Sequence, residues 1–420
     1  MTSALSPSRE RWLLLTIAGV QFTNIVDFMV MMPLGPQFTQ LFDITDAQFG
    51  LLVSAYTFAS GVSGLVGAGF IDRFDRKRAL LMAYVLFALA TLACGLAGTY
   101  GGLMLARVAA GIFGGALTAL TQTIVAELIP FERRGRAMGL VMTSFSLAAV
   151  AGVPLSLMLA ARLSWHAPFF AIATVSLLLW IAAWRTLPAL AGHLNASAAV
   201  HPRGPGQSAH RSPASVYLAV LADANHRRAF AFSALTLFSG FMVIPYLTIY
   251  SQVNVGLRTD EIPYLYLFGG LATIFTSRWI GRMADRHGKL RVFRWVAAVG
   301  ALPMLAITTL PPVPLWVAVA VSACLFVAMN GRMVPGMALM TAVPPANMRG
   351  AFMSVNGALQ SASMGVAAWL GGALISRAPD GQVLGYERCG WLAVLTSVLM
   401  WWWVGQLRLE SASKVRNSCP

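Results

Sequence analysis

The chain has 420 residues, of which 57% are hydrophobic and only 11% charged, whereas a soluble domain averages about 45 to 50% apolar and 25% charged. That composition excludes a water-soluble globular protein and points to a chain that crosses a membrane many times. The net charge of +15 would raise the question of nucleic acid, but the charges fall between apolar runs, where membrane topology accounts for them.

Twelve apolar runs are each long enough to cross a hydrocarbon core of about 30 Å as a helix. They lie at 12–34, 47–70, 79–98, 101–126, 136–161, 167–187, 227–252, 261–283, 290–310, 313–341, 349–375 and 386–408. The expected fold is therefore all-α and polytopic. Arg9 and Arg11 precede a first run of full membrane length with no small-residue cleavage site after it, so it reads as a retained helix and not a signal peptide.

That first run contains QFTNIVDFMVMMPLGP, with Asp27 at the depth least hospitable to charge. An ionised carboxylate there costs about 2.5 to 3.5 kcal/mol on insertion scales, which makes Asp27 the first candidate functional residue.

Lys and Arg alternate in density from loop to loop. Arg9 and Arg11, the Arg73 to Arg78 cluster, Arg133 to Arg136, the central linker, Arg278 to Arg294 and the C-terminal tail all fall on one side. The opposite side receives Arg162, Arg258, Arg377 and Arg388. By the positive-inside rule both termini are expected in the cytoplasm. The same arginines suit anionic lipid.

Residues 188–226, rich in Ala, Gly, Ser, Pro and His, read as a flexible cytoplasmic linker, with a short surface helix at 214–225 and solvated histidines. Phe28-Met29-Val30 before Pro33 recurs as Phe241-Met242-Val243 before Pro245. Asp72-Arg73 recurs as Asp285-Arg286, and Pro130 with Arg134-Gly135 as Pro345 with Arg349-Gly350. One nearly constant spacing divides the chain into two six-helix units, 1–187 and 227–420.

These features resemble the major facilitator superfamily, and within it the twelve-helix drug/proton antiporter branch. The loop signature G-x-L-a-D-r-x-G-r-k is matched after the eighth helix by Gly281, Met283, Ala284, Asp285, Arg286, Gly288 and Lys289. It is more worn after the second, where Asp72, Arg73, Arg76 and Lys77 stand but Ala68 and Asp75 replace glycines. An aspartate among arginines at a helix end can form charge-assisted pairs, so Asp72, Arg73, Arg76, Glu127, Arg136, Asp285 and Arg286 are expected to form a cytoplasmic gating latch. The plain alternative is that they only obey the positive-inside rule.

In the fourth helix, Leu105 to Ala116 resembles the branch motif l-x-x-R-x-x-q-G-x-g-a-A, with Ala110 in place of glutamine. The resemblance associates its arginine, Arg107, with proton coupling. Counting at 1.5 Å per residue puts Asp27 and Arg107 each roughly 10 Å from the outer surface, so the two are expected to meet. The alternative is a permanent structural ion pair. Asp27→Asn is expected to abolish gradient-driven export while leaving folding largely intact. In the fifth helix, Ser146 to Leu155 resembles the g-x-x-x-G-P motif through Gly152 and Pro154, and most nearly the variant of sugar and arabinose efflux relatives, with Ser156 departing from it.

Polar and aromatic groups within the runs are candidate cavity lining: Gln21, Asn24, Gln122, Tyr246, Tyr250, Asn330, Arg332, Asn356 and Gln360, with Phe28, Met31, Phe238 and Trp369 as an apolar wall. Cys94, Cys324, Cys389 and Cys419 show no metal or redox spacing, and no P-loop, nucleophile triad or zinc motif is present. What the resemblance implies is a monomeric inner-membrane exporter of a drug or metabolite, driven by the proton gradient with no bound cofactor, taking protons, a small molecule and lipid as partners and no nucleic acid. The rivals are a sugar or metabolite facilitator or importer of the same fold, and a non-transporting receptor or enzyme.

Overall fold

In the computed structural model, residues 7–70, 75–129, 137, 140–141, 143–188, 213–345 and 348–408 are described. Nearly all of them are helical, and each of the twelve expected runs contains helix among its described residues. The first unit holds α1 (Pro7–Val30), α2 (Gly35–Leu41), α3 (Asp46–Phe70), α4 (Arg76–Leu96), α5 (Tyr100–Leu128), α6 (Val153–Arg162) and α7 (His166–Thr186). After α8 (Pro213–Ala222), the second holds α9 (Ala224–Phe241), α10 (Leu247–Val253), α11 (Ile262–His287), α12 (Lys289–Val299), α13 (Ala301–Thr308), α14 (Leu315–Thr341), α15 (Arg349–Leu374) and α16 (Tyr386–Trp403).

Nine helical stretches among the described residues are long and apolar enough to span a bilayer. The remaining crossings, α11, α15 and the shorter α16, are more polar: α11 ends in Arg278, Arg282, Asp285 and Arg286, α15 carries Asn356 and Gln360, and α16 opens with Glu387 and Arg388.

Three runs that look continuous in sequence are broken. The first stops at Val30, turns through Met31 to Leu34 and resumes as α2 with Pro36 in its first turn. The seventh repeats this: α9 ends at Phe241, a single 3₁₀ turn spans Ile244–Tyr246 around Pro245, and α10 follows. Proline lacks the N–H that would continue the ladder, so the recurrent Phe-Met-Val before proline marks the same kink in both units. The ninth run breaks at Gly300, between α12 and α13.

Local rules account for the helix starts. Asp75 accepts bonds from the Lys77 and Arg78 amides at 2.8 and 3.2 Å, capping α4, which explains an aspartate where the loop signature has glycine. Thr99 caps α5 through the Gly102 amide, and Asp223 caps α9 through that of His226. A two-strand hairpin, β1 (Ser376–Arg377) with β2 (Val383–Leu384), joins α15 to α16 and was not anticipated. His226 also departs from expectation. It is buried, with its Nδ1 against the Val220 carbonyl and its ring edge on Phe352, because α8 folds back over the start of α9 in place of leaving it in water.

Large apolar side chains such as Leu105, Phe275 and Trp316 face outward, as expected where the surroundings are lipid. Helices approach closely at small residues. A Cβ at Gly115 of α5 would collide with the Ser60 backbone of α3, and one at Gly111 with that of Tyr56.

The two units are tied together at the end of the bundle opposite the termini. Ser54 of α3 donates to the Gly365 carbonyl of α15 at 2.6 Å, Phe49 meets Tyr246 edge to face, and Gly372 lies against the Asp46 backbone. Arg377 on β1 forms a two-bond ion pair with Asp46. Further toward the termini on α3, Val62, Leu65 and Val66 are exposed.

Candidate functional site

Inside the first unit, Asp27 on α1 and Arg107 on α5 meet with both side chains 0% exposed. Arg107 Nη1 donates to Asp27 Oδ2 at 2.9 Å and to the Asp27 carbonyl at 3.3 Å. Thr91 of α4 donates to the other carboxylate oxygen at 3.1 Å. Both carboxylate oxygens are thus engaged, while Arg107 Nε and Nη2 have no hydrogen-bond partner. A pair with such partial satisfaction in an apolar bundle is a poor stabiliser.

Tyr56 of α3 completes the surround. The Arg107 guanidinium lies 4.5 Å from its ring centroid, a desolvated cation–π contact. Its hydroxyl donates to Asn24 Oδ1 at 2.7 Å. Asn24 in turn donates to the Gly114 carbonyl and to Thr118, and weakly to Gln21 at 3.5 Å. Phe28 stacks on Tyr56 with centroids 5.2 Å apart and on Phe241 of α9 at 5.8 Å. Adjacent residues of α1 therefore do different work. Asp27 binds its own unit, and Phe28 touches the other.

Gly152 places the fifth-helix motif against the same stretch. A π-helical turn, Ala148–Gly152, precedes Pro154, and a Cβ at Gly152 would run into the Val26 side chain. On its other flank Val150 and the Ala149 carbonyl pack on Gly270 of α11, so the motif is a seam both with α1 and between units.

Other expected site residues divide. Gln21 and Asn24 are buried beside the Asp27 neighbourhood, Met31 is wholly buried in the core, and Gln122 is exposed. Tyr246 and Tyr250, expected in the cavity lining, are both buried here. The Tyr246 hydroxyl donates to the Ala368 carbonyl and that of Tyr250 to the Leu310 carbonyl, because closure of the bundle at this end packs both rings inside. Asn330 donates to Ser277 and Gln360 to Ser233. Asn356 is buried with Oδ1 unpaired. Phe238 is partly buried and Trp369 is exposed.

Arg332 of α14 is 3% exposed. Its Nη1 reaches Ser397 at 3.3 Å, its Nη2 has no partner, and among the described residues no carboxylate pairs with it. Gly240, the repeat counterpart of Asp27, lies under the Met329 methyl, and a Cβ there would be 3.5 Å from that Nη2.

Of the expected latch, Arg76 and Glu127 form an ion pair at 3.1 Å. Asp285 and Arg286 are exposed and form no ion pair with a described residue. Asp72, Arg73 and Arg136 lie outside the described residues. Thr91, Tyr56, Asp46 and Arg377 were not singled out from sequence. Tyr56 and Thr91 carry no charge cost that would flag them, and Asp46 and Arg377 look like ordinary loop charges. Among the described residues no group of His, Cys, Asp and Glu could hold a metal ion.

The apolar spans, the buried ion pair and the kinked first helices of each unit define a multi-pass membrane protein. The sequence profile of the Major Facilitator Superfamily matches residues 17–368, and the chain belongs to that family. It is 28% identical over 149 residues to a probable sugar efflux transporter of Helicobacter pylori, covering 36% of this chain and 38% of the relative. It is 30% identical over 146 residues to an uncharacterized MFS-type transporter, YwfA, of Bacillus subtilis, covering 34% of each. These matches span about a third of the length of the curated relatives. A D-xylose-proton symporter superimposes with a TM-score of 0.74 at 18% identity, over 94% of this chain and 98% of that one. A bacterial homolog of the human lysosomal transporter Spinster, in an inward-facing and occupied conformation, gives 0.71 at 15% identity, over 96% and 97%. Such identities establish the twelve-helix fold alone.

Proposed function

We propose that this protein exports a small organic molecule by proton-coupled antiport across the bacterial inner membrane, with Asp27 as the proton-binding group and Arg107 as its counter-ion. The observation that supports this reading is the juxtaposition of Asp27 and Phe28. Protonation of the Asp27 carboxyl removes the charge that holds Arg107. α1 is then freer to move against α5, and Phe28 transmits the motion to Phe241 in the other unit. A deprotonated Asp27 in a membrane interior needs its cation close by, so the ion pair and the charge state of Asp27 rise and fall together.

Alternating access then follows from rocking of the units. The seal opposite the termini, around Asp46, Phe49 and Tyr246, closes one mouth. Separation there, with closure on the Arg76 side, would present the site to the other compartment. The names of the Helicobacter pylori relatives favour a sugar or sugar-like metabolite as cargo over a drug. A drug remains the substrate to be tested beside it.

The test is transport by the purified protein in liposomes with an imposed pH gradient, assayed with candidate sugars and with a panel of toxic compounds. Substrate movement should accelerate with the gradient and proton movement should appear with substrate. Transport unchanged when the gradient is collapsed would sink the coupling, and would favour a facilitator of the same fold.

A further inference from the structure

On the outer surface of the second unit, α11, α12, α13 and α14 enclose a groove of about 1050 Å³ that lies away from the path between the units. Its origin is local. The helix break at Gly300 and the residue Pro303 bend the ninth crossing, and the small side chains of Ala306, Ala320 and Ala328 beside Gly300 leave room in it. Trp279 and Trp295 stand at its sides, 61% and 66% exposed. Deeper along it run Leu302, Val321 and Cys324.

Its polar groups gather at one end. His287 and Arg291 line the groove there, both exposed. His287 has its Nδ1 against the Met283 carbonyl, and Arg291 forms no ion pair with a described residue. Arg282, Arg286 and Lys289 are exposed close by in sequence, with Asp285 the single acid among them. Arg294 is turned aside onto Trp401. From Arg291 to Ala306 the two helical segments together rise about 22 Å at about 1.5 Å per residue, more than one leaflet of a hydrocarbon core about 30 Å thick even with the bend between them.

An apolar channel one leaflet deep, with cations at the headgroup end, has the charge and shape of a phospholipid with a negative headgroup. A second copy of this chain fits less well. Copies inserted in the same orientation carry the same basic excess at the same depth, so their like charges would meet.

We propose that this groove binds an anionic phospholipid, its phosphate held by Arg291 and His287 and an acyl chain lying between Trp279 and Trp295 toward Cys324. The site is independent of what the protein transports.

The experiment uses the full-length protein in bilayers containing brominated phosphatidylglycerol or brominated phosphatidylcholine. The bromine quenches indole fluorescence on contact, and the share due to the groove is the difference between the natural protein and Trp279→Phe/Trp295→Phe. That share should be quenched with a several-fold preference for phosphatidylglycerol. In Arg291→Gln/His287→Gln, whose exposed positions leave folding intact, the preference should fall to one while the melting temperature stays unchanged. A groove that shows no preference, or keeps it in the double variant, overturns the proposal. So do tryptophans shielded from both lipids, the result expected if a second copy covers them.

Discussion

The Arg377 guanidinium and the Asp46 carboxylate meet through two parallel bonds, Nε to Oδ2 and Nη2 to Oδ1, each 3.0 Å long. The two residues are 331 positions apart in the chain, one at the start of α3 and the other on the hairpin before α16. Two-point recognition fixes direction as well as distance, so this contact sets how the two units close at the mouth opposite the termini.

Removing either partner should loosen that closure. For a partly exposed bidentate pair the coupling is about 1 kcal/mol, a shift of several-fold in the balance of closed and opened states. Distances between spin labels placed on the two units at this end should broaden in Asp46→Asn and in Arg377→Gln, and the double variant should be no broader than either. Additive effects would mean that the contact is incidental.

The same pair gives a pH expectation. Hydrogen bonding to Asp46 holds the Arg377 guanidinium above its ordinary range, ahead of the opposing effect of burial. A cation whose folded pKa is raised contributes stability that is complete below its ordinary value and is lost only at more strongly alkaline pH. The label distances at this mouth should therefore not change between neutral and mildly alkaline pH. Opening on mild alkalinisation would contradict the assignment.

Asp27→Asn should do more than uncouple. It leaves the wholly buried Arg107 without a counter-charge, at a cost of about 3 to 5 kcal/mol, so lower thermal stability is expected together with lost gradient dependence. Asp27→Asn/Arg107→Gln should recover most of the stability and none of the gradient-driven transport. Recovery of both would remove Asp27 from proton coupling.

Arg332 invites the opposite experiment. It is a buried cation with no ion-pair partner among the described residues, and replacing such a buried charge by an apolar group of similar length is expected to stabilise by roughly 1 to 4 kcal/mol. Arg332→Met should therefore melt higher than the natural protein while transporting less, if its charge serves the cargo. Unimpaired transport would leave it without a role in the path.

Gly152 and Val26 should behave as a size-matched pair. Gly152→Val inserts atoms where the Val26 side chain lies, an overpacking cost of about 1 to 3 kcal/mol, and pushes α1 at the residue before Asp27. Val26→Ala in the same chain should return part of the melting temperature, and failure to do so would place the clash elsewhere.

From the sequence alone came the number and position of the crossings and the meeting of Asp27 with Arg107. Each rests on something local or additive: a run of apolar residues, the cost of a charge in hydrocarbon, a rise of about 1.5 Å per residue. Depth in the membrane is a coordinate that the chain carries with it. Rotation of a helix about its axis and contact between units are not. Only the tertiary structure brought Thr91 to the second carboxylate oxygen and Tyr56 beneath the guanidinium, turned Tyr246 and Tyr250 into a seal, and joined Asp46 to Arg377. Hydroxyls and loop charges carry no local signal of their partners. Which of them meet is decided by packing along the whole interface, where close approaches at glycines such as Gly115 and Gly372 set the register.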